Sequence, residues 1–345
     1  MDNRLFAIQT WLTKTLSNGR FELTVASGDA SFRRYFRVFR DIGKSLIVMD
    51  APPAHEDTRR FIHVAASLRR VGINVPEILA IDCEQGFLLL DDLGTVHYLD
   101  ALDETRVERL YGDAMGALLA IQACASCQGM PEYDHGLLDE EMLLFRDWFL
   151  GRHLDIPITD VVDEVLRDAF DSLQGVAAEQ PRAFVHRDYH SRNLMMQARN
   201  NPGILDFQDA VRGPVTYDLV SLLKDVYIGW PPERVEAWAL GYRNLAIQHG
   251  ILVEVDEATW LRWFDLMGVQ RHLKIAGIFA RLYHRDGKSG YLSDIPSTLD
   301  YLALACKRYS ELAALGTLLD KLDVRQKIRD RNALFLSTPK VSASP

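Results

Sequence analysis

The chain has 345 residues, of which 48% are hydrophobic and 25% are charged, as is ordinary for a globular protein. Its formal net charge of −9 argues against nucleic acid as the main partner, because proteins that bind the phosphate backbone usually carry a basic surface. The longest apolar run, within residues 114–125, is too short for a membrane span, and the first residues lack the layout of a signal peptide. We therefore expect a cytoplasmic protein that does not enter a membrane.

The first ninety or so residues predict a small, sheet-rich lobe. Apolar runs and alternating patterns predict three strands, a helix and two further strands, in this order: 21–25, 34–39, 45–49, 57–70, 75–81 and 86–90. The turn between the first two strands is rich in small residues, namely Ser27, Gly28, Asp29, Ala30 and Ser31. Its amides could close over phosphate groups, although an ordinary hairpin loop has the same composition.

The remainder of the chain carries mainly helical spacing. Helices are predicted at 105–125, 137–150, 159–173, 216–228, 232–249, 258–285 and 299–319. Residues 337–345 are polar and contain proline, which predicts a flexible tail. The sequence therefore predicts an α+β protein with a β-rich N-terminal lobe at 1–92 and a larger, mostly helical C-terminal lobe at 93–336.

Residues 186–193 have the sequence HRDYHSRN, which fits H-R-D-x-x-x-x-N, the catalytic-loop pattern of kinase-like phosphotransferases. A second acidic residue, Asp206, follows thirteen residues after Asn193. Asp188 offers a carboxylate that can receive a hydroxyl proton, and Asn193 and Asp206 offer two oxygen ligands for Mg²⁺, as phosphoryl transfer from ATP requires. Apolar runs around a turn at 201–203 predict a hairpin that brings these two ligands to the same end. The alternative is a buried Asp and Asn that satisfy loop amides.

The order of elements and these motifs resemble the aminoglycoside phosphotransferase superfamily, small-molecule relatives of the protein kinases, from about residue 21 to residue 319. The resemblance implies a two-lobed, protein-kinase-like fold that binds ATP and Mg²⁺. It also implies that the connector at Leu90 and Asp91 is a hinge whose backbone N–H and C=O groups meet adenine. A solvated turn would have the same acidic composition.

Further stretches, at 27–38, 48–53, 270–274, 277–282 and 285–288, resemble the bacterial anomeric kinases of N-acetylmuramate and N-acetylglucosamine, which act in peptidoglycan recycling. That resemblance implies transfer of the γ-phosphate to the C1 hydroxyl of an amino sugar. Two alternatives stay open: a kinase of another small alcohol such as an aminoglycoside, and a catalytically silent ATP-binding pseudokinase.

The phosphate-binding lysine of kinases has no counterpart at its usual place. Kinases carry this lysine on the third strand with a helix Glu as its partner, whereas here Asp50 follows that strand. Nearby basic residues are Lys44, Arg33, Arg34 and Arg37. We expect Arg33 or Arg34 to bind the nucleotide, with Glu56 or Asp57 as an acidic partner; otherwise these arginines are surface charges. Strand alternation places Arg33 and Arg37 on one face and Arg34 on the other.

Candidates for substrate binding come from the C-terminal lobe. Arg271 and His272 lie on a predicted helix, and if they face the substrate they could bind the lactyl carboxylate of N-acetylmuramate. A polar turn on an amphipathic helix would otherwise be a solvated face. Trp230 could offer an apolar face to a sugar ring, and His190 is a further candidate within the catalytic loop.

Overall fold

The computed structural model describes residues 2–17, 19–28 and 32–337. The predicted loop residues Asp29, Ala30 and Ser31, and the predicted tail beyond residue 337, lie outside these described residues. The chain divides into two compact units: the first comprises Met1–Ser126 and Ser191–Ala210, and the second Cys127–His190 and Val211–Pro345. The first unit therefore extends beyond the predicted boundary at residue 92 and also contains the later segment 191–210. Across the described residues, no helix has the length and apolarity needed to cross a membrane.

The strands predicted in the first ninety residues lie close to their predicted positions. They are β1 Phe21–Gly28, β2 Arg34–Arg40, β3 Leu46–Asp50, β4 Ile78–Asp82, β5 Phe87–Asp91, β6 Arg182–Val185, β7 Leu194–Met195, β8 Gly203–Ile204 and β9 Val211–Pro214. An antiparallel sheet in the order β1-β2-β3-β5-β4 forms the first unit's core, β6 pairs with β9, and β7 pairs with β8. A sheet-rich first part followed by a mostly helical part confirms the predicted α+β class.

The helices account for most of the second unit. Those of the first unit are α1 Asn3–Thr15, α2 Thr58–Arg70, α3 Tyr98–Ala101 and α4 Val107–Cys124. Those of the second are α5 His135–Leu144, α6 Asp160–Glu179, α7 Tyr217–Leu223, α8 Pro232–Gln248, α9 Glu257–Asp286, α10 Ile295–Arg308, α11 Ala313–Lys321 and α12 Val324–Ser337. A π-helical segment, Phe145–His153, continues α5, and short 3₁₀ turns occupy Ser289–Asp294 and Ser310–Leu312.

One predicted helix is divided in two. The sequence predicted a single helix at 299–319, but α10 ends before Tyr309, whose backbone is extended with φ −116° and ψ 119°. The Tyr309 hydroxyl donates to Asp265 Oδ2 at 2.6 Å, which holds this break against α9. The prediction of one continuous helix there was therefore wrong.

The β7–β8 hairpin explains why residues 191–210 belong to the first unit. Met195 bridges to His97, the Met196 N–H donates to the Val96 carbonyl at 2.8 Å, and the Leu99 N–H donates to the Ser191 carbonyl at 3.2 Å. These backbone bonds attach the hairpin to the segment that follows the sheet.

Helix α9 is the centre of the second unit. It begins at the Asp256 cap, which accepts the Thr259 N–H at 2.9 Å, and ends before Gly287 at φ +68°. Most side chains between Trp260 and Leu282 are buried. A Cβ at Gly277 would lie 2.3 Å from the backbone carbon of Leu144, so glycine is needed where the end of α5 crosses this helix.

Helix α1 is attached to the sheet by an ion cluster around one buried carboxylate. Asp50, at the end of β3, has no exposed surface, and it accepts from Arg4 Nε at 2.8 Å and from Arg34 Nη2 at 2.6 Å. Arg4 also donates to the Gln85 carbonyl at 2.7 Å. Two cations therefore compensate one buried carboxylate, and one of them belongs to α1.

We predict that Arg4→Ala lowers the free energy of unfolding by about 2 kcal/mol, because it removes half of the compensation of a buried charge. Lys14→Ala is the matched control, since it removes one exposed positive charge from the same helix. Urea denaturation monitored by circular dichroism would measure both. Equal effects of the two substitutions would contradict the assigned role of Arg4.

Candidate active site

One buried carboxylate accepts two backbone hydrogen bonds from the predicted catalytic loop. Asp218, at the start of α7, accepts the backbone N–H of His186 at 2.6 Å and that of Arg187 at 3.0 Å. Arg187 has φ +76°, a left-handed conformation that is unusual for a side-chain-bearing residue. Burial raises the pKa of Asp218 to about 7, against the lowering effect of the two N–H donors. The backbone around Asp188 is thus fixed by one buried side chain.

A second carboxylate anchors the side chain of Arg187. Glu141 on α5 is 5% exposed and forms an ion pair with Arg187, and the Lys274 Nζ lies 2.9 Å from the same Oε1 atom. Its other oxygen accepts from the Tyr133 hydroxyl and, at 3.2 Å, from Gln270 Nε2. Burial raises the pKa of Glu141, but the charges of Lys274 and Arg187 outweigh it and hold this pKa below its ordinary value.

Asp188 lies next to this network, near the cations Arg271 and Lys274. Arg271 Nη1 donates to the Arg187 carbonyl at 2.6 Å, and Arg271 Nη2 lies 3.9 Å from Asp188 Oδ1. Desolvation raises the pKa of Asp188, but the charges of Lys274 and Arg271 outweigh it and hold this pKa well below its usual range. The Asp188 side chain is 39% exposed. It is therefore an ionised carboxylate that a small molecule can reach.

The first unit contains a cavity of about 630 Å³ between the sheet and the hairpin. Its apolar walls come from the sheet and from the β7–β8 hairpin, and include Ala26, Ile47, Leu90, Met195 and Leu205. Its polar lining includes Asp91, Asn193 and Asp206. An apolar slot with polar groups at its rim suits a nucleobase attached to phosphates.

The predicted metal ligands lie at the same end of the hairpin, as the sequence indicated. The Leu205 N–H donates to the Asn193 carbonyl at 2.9 Å, and Asp206 follows with φ +62°. Gln208 Nε2 donates to Asp206 Oδ1 at 2.8 Å. One carboxylate and one amide oxygen are hard ligands that suit Mg²⁺ when water and phosphate complete its shell. Among the described residues, no group of three or more His, Cys, Asp or Glu is placed to hold a metal ion without such help.

Only one of the two predicted nucleotide arginines approaches this site. Arg33 is 9% exposed, and its guanidinium lies 3.7 Å from Asp206 Oδ1 and 3.8 Å from Glu56 Oε2. Arg34 pairs instead with Asp2 and Asp50. Because neighbouring residues of a strand point to opposite faces, the expectation for Arg34 is corrected: it supports α1.

Arg37 lies on the face of the sheet that lines the cavity, but its guanidinium is hydrogen-bonded to residues that follow β5. Its Nε donates to Asp92 Oδ2 at 2.6 Å, and its Nη2 donates to the Gly94 carbonyl at 2.9 Å. The Asp91 N–H donates to the Glu77 carbonyl at 3.0 Å. Any base contact at Asp91 would therefore use its carbonyl, or the residues that follow it.

Arg271 and His272, the residues predicted to bind a substrate carboxylate, are both buried in the second unit. His272 is fully buried, its Nε2 lies 3.0 Å from the Lys224 carbonyl, and its ring stacks on Tyr301 with centroids 4.5 Å apart. Burial lowers the pKa of His272 well below its ordinary value. Arg271 is 4% exposed and bonded to the loop backbone. Helix α9 is central in its unit, so these residues do not form a solvated face, and a role in binding a carboxylate stays a prediction.

The other two substrate candidates lie in different surroundings. The ring of His190 packs edge-on against Tyr227, with centroids 5.5 Å apart. Trp230 lines a second cavity of about 200 Å³, and Arg234 stacks over its ring at 5.3 Å. The structure thus places His190 in the catalytic loop and Trp230 at a separate apolar recess of the same unit.

Three residues of this arrangement were missed from the sequence: Glu141, Asp218 and Lys274. Each is a charged residue that is buried in the structure. Only Asp218 offered a signal, because it stands among apolar helical residues, and a charged side chain is seldom fully buried unless it is paired.

A family model described as the phosphotransferase enzyme family matches residues 22–251. The chain belongs to this family. The expected phosphotransferase chemistry is thereby confirmed, and the H-R-D-x-x-x-x-N segment lies within the matched residues.

Similar proteins extend over nearly the whole chain. An N-acetylmuramate/N-acetylglucosamine kinase of Pseudomonas aeruginosa is 50% identical over 301 residues, covering 87% of this chain and 88% of that protein. A kinase of the same name from Pseudomonas putida is 45% identical over 332 residues, covering 93% and 97%. The stated resemblance to this group of kinases is confirmed.

Solved structures show the fold. A choline kinase from Streptococcus pneumoniae gives a TM-score of 0.59 at 13% identity, covering 87% of this chain and 98% of that one. An ADP-bound aminoglycoside phosphotransferase gives 0.57 at 14% identity, covering 87% and 98%. The expected kinase-like fold of this family is therefore confirmed.

We predict that Asp218→Asn flattens the pH dependence of stability between about pH 4 and pH 7. A carboxyl with a raised folded-state pKa adds stability below its unfolded value of 3.8, and this stability is lost as the pH rises through about 7. The wild type should therefore lose up to about 1.4 kcal/mol per pH unit there relative to the variant. Urea denaturation at pH 5, 6, 7 and 8 would measure the difference. Parallel curves would contradict the raised pKa.

Proposed function

We propose that this protein is an ATP-dependent kinase that phosphorylates the anomeric C1 hydroxyl of N-acetylmuramate and N-acetylglucosamine. The observation that carries the proposal is the 50% identity, over 87% of the chain, to a kinase named for these two sugars. Within the proposal the sugar 1-phosphates serve peptidoglycan recycling in the cytoplasm. The proposal that the phosphate is transferred to the C1 hydroxyl rests on the sequence stretches that resemble anomeric kinases.

Asp188 is assigned to the attacking hydroxyl. Its carboxylate is ionised and accessible, so it can accept a hydrogen bond from the hydroxyl and orient the oxygen towards the γ-phosphorus. A carboxylate with a lowered pKa is a weak base, which favours proton transfer late in the reaction. A late transfer fits the loose transition state of phosphoryl transfer.

The C1 hydroxyl suits such a weak base. Its proton is more acidic than that of an ordinary alcohol, because the ring oxygen withdraws electrons. In the step, the C1 oxygen bonds to the γ-phosphorus, the bond from phosphorus to the ADP oxygen breaks, and the hydroxyl proton passes to Asp188 or to solvent. The charges of Lys274 and Arg271 keep Asp188 ionised.

The nucleotide is assigned to the cavity of the first unit. Leu90 and Asp91 border the base, and Asn193 and Asp206 would hold Mg²⁺. When held by these two residues, Mg²⁺ would supply positive charge that offsets the negative charge of the phosphates. Asn193 and Asp206 are kept in place by the backbone bond between Leu205 and Asn193 and by Gln208.

We predict that Asp188→Asn lowers kcat by about 10²-fold or more and leaves ATP binding nearly unchanged, because it removes the proton acceptor and not a nucleotide contact. Asp171→Asn, an exposed position on α6, makes the same chemical change elsewhere in the second unit and serves as the control. Coupled ADP-release kinetics and nucleotide titration would separate the two effects. Turnover near the wild-type rate would exclude Asp188 as the acceptor.

We predict that both sugars are phosphorylated and that their 1-O-methyl glycosides are not. The methyl group removes the C1 nucleophile and leaves every other hydroxyl in place. Phosphorus NMR of the product should show coupling to the anomeric proton. Efficient phosphorylation of the glycosides would move the reaction to another hydroxyl, and turnover of an aminoglycoside in place of the sugars would replace the proposed substrate class.

A further inference from the structure

A short segment without regular secondary structure borders the cavity of the first unit. Asp92, Leu93 and Gly94 directly follow β5, belong to neither a strand nor a helix, and line the cavity. Regular backbone bonds fix the conformation of strands and helices, whereas an irregular segment depends on other partners. These three residues are the rim segment of the cavity, and its shape is set by the side chains that bond to it.

Arg37 of β2 bonds to both ends of the rim segment. Its Nε donates to Asp92 Oδ2 at 2.6 Å, and its Nη2 donates to Asp92 Oδ1 at 3.2 Å and to the Gly94 carbonyl at 2.9 Å. A guanidinium that grips both oxygens of a carboxylate fixes its direction as well as its distance. The side chains of Arg37 and Asp92 are 17% and 5% exposed, so water and salt screen this pair little.

The carboxylate of Asp92 keeps the positive charge of Arg37 in place. Ser45 Oγ donates to Asp92 Oδ2 at 2.7 Å, and the Gly94 N–H donates to Oδ1 at 2.9 Å. Burial raises the pKa of Asp92, but the hydrogen bonds from Arg37, Ser45 and Gly94 outweigh it and hold this pKa below its ordinary value. If Arg37 turned away to a phosphate, it would leave a buried, ionised carboxylate without its cation, which is costly.

Gln197, directly after the β7–β8 hairpin's first strand, bonds to the middle of the rim segment. Its Nε2 donates to the Leu93 carbonyl, and its N–H donates to Asn201 Oδ1 at 2.9 Å. A Cβ at Gly203 would lie 2.9 Å from Leu93 Cδ1 and 3.3 Å from Gln197 Cγ, so glycine is needed where the hairpin packs on Leu93. The rim segment is therefore held from the sheet by one side chain and from the hairpin by another.

We propose that Arg37 and Gln197 are positioning residues for the nucleotide base: they hold the rim segment in the shape that borders the base, and neither contacts phosphate. This inference rests on the proposed ATP-binding cavity, and not on the identity of the acceptor sugar. A wall that is already fixed needs no ordering when the base binds. A wall released by substitution has to be ordered by the base, which weakens base binding and leaves the phosphate end unchanged.

The two ends of the nucleotide should therefore respond differently. Gln197→Ala removes one hydrogen bond and should weaken both adenosine and Mg²⁺–ATP about 3- to 10-fold. Arg37→Ala removes three and should weaken both by a larger factor, about 10- to 30-fold. Inorganic tripolyphosphate with Mg²⁺ has no base, so it should bind both variants as it binds the wild type. Arg37→Lys keeps the charge without the fork, so its adenosine affinity should fall between those of the wild type and Arg37→Ala.

The experiment is calorimetry without sugar, in which adenosine and tripolyphosphate compete with Mg²⁺–ATP. Arg40→Ala is the control on the same strand, because Arg40 donates to the Lys44 carbonyl at 2.6 Å, and Gln9→Ala is the control for glutamine at an exposed position of α1. Unchanged adenosine affinity in Arg37→Ala or in Gln197→Ala would overturn the inference. A loss of tripolyphosphate affinity as large as the loss of ATP affinity would also overturn it, because it would reveal a phosphate contact. If Arg37→Ala does not fold, Arg37→Lys and Gln197→Ala decide.

The two proposals fail in different ways. If the wild type binds ATP and the variants lose affinity for adenosine alone, the positioning role stands even when the acceptor proves to be a different alcohol. If the wild type turns over both sugars while the variants bind adenosine as the wild type does, the positioning role is wrong and the proposed function survives. A wild type that binds no ATP would overturn both.

Discussion

Two backbone N–H groups, those of His186 and Arg187, turn inward at the end of β6 and donate to the buried carboxylate of Asp218. A buried N–H without an acceptor costs free energy, and a buried carboxylate without donors costs more. Each therefore requires the other. This pairing fixes the backbone that leads into the left-handed residue Arg187, directly before Asp188. Without this pairing, the loop backbone would have no single conformation for the neighbouring charged side chains to stabilise.

The side chains beneath the loop form a nearly neutral set of charges. Arg187 and Lys274 share Glu141, while Arg271 bonds to the loop carbonyl and approaches Asp188. Buried ion pairs of this kind add little net stability compared with apolar packing, but loss of one partner leaves a costly charge. Their effect here is electrostatic: the charges of Lys274 and Arg271 hold the pKa of Asp188 well below its usual range, so its partly exposed side chain is ionised.

Local patterns in the sequence were sufficient for the strands and for the spacing of Asp188, Asn193 and Asp206, because each depends on residues near in sequence. Helix α1 was not predicted, because only Ile8 and Leu12 of its residues are buried and so short an apolar stripe does not indicate an amphipathic helix. The partnership of Glu141 with Lys274 joins two distant helices, and no local pattern encodes it. For the same reason the buried direction of Arg271 and His272 could not be inferred, since a helix at the centre of its unit has no solvated face.

The register of the sheet explains why position 50 cannot supply a cation to the cavity. Asp50 shares a face with Arg34, and that face carries α1, where Arg4 completes the cluster. A lysine introduced at position 50 would therefore point towards Arg4 and Arg34, adding a positive charge where two already stand. It could not reach the cavity, because successive positions of a strand face opposite sides of the sheet and position 50 faces the side of α1. The cations that line this cavity include Arg37 and Arg192.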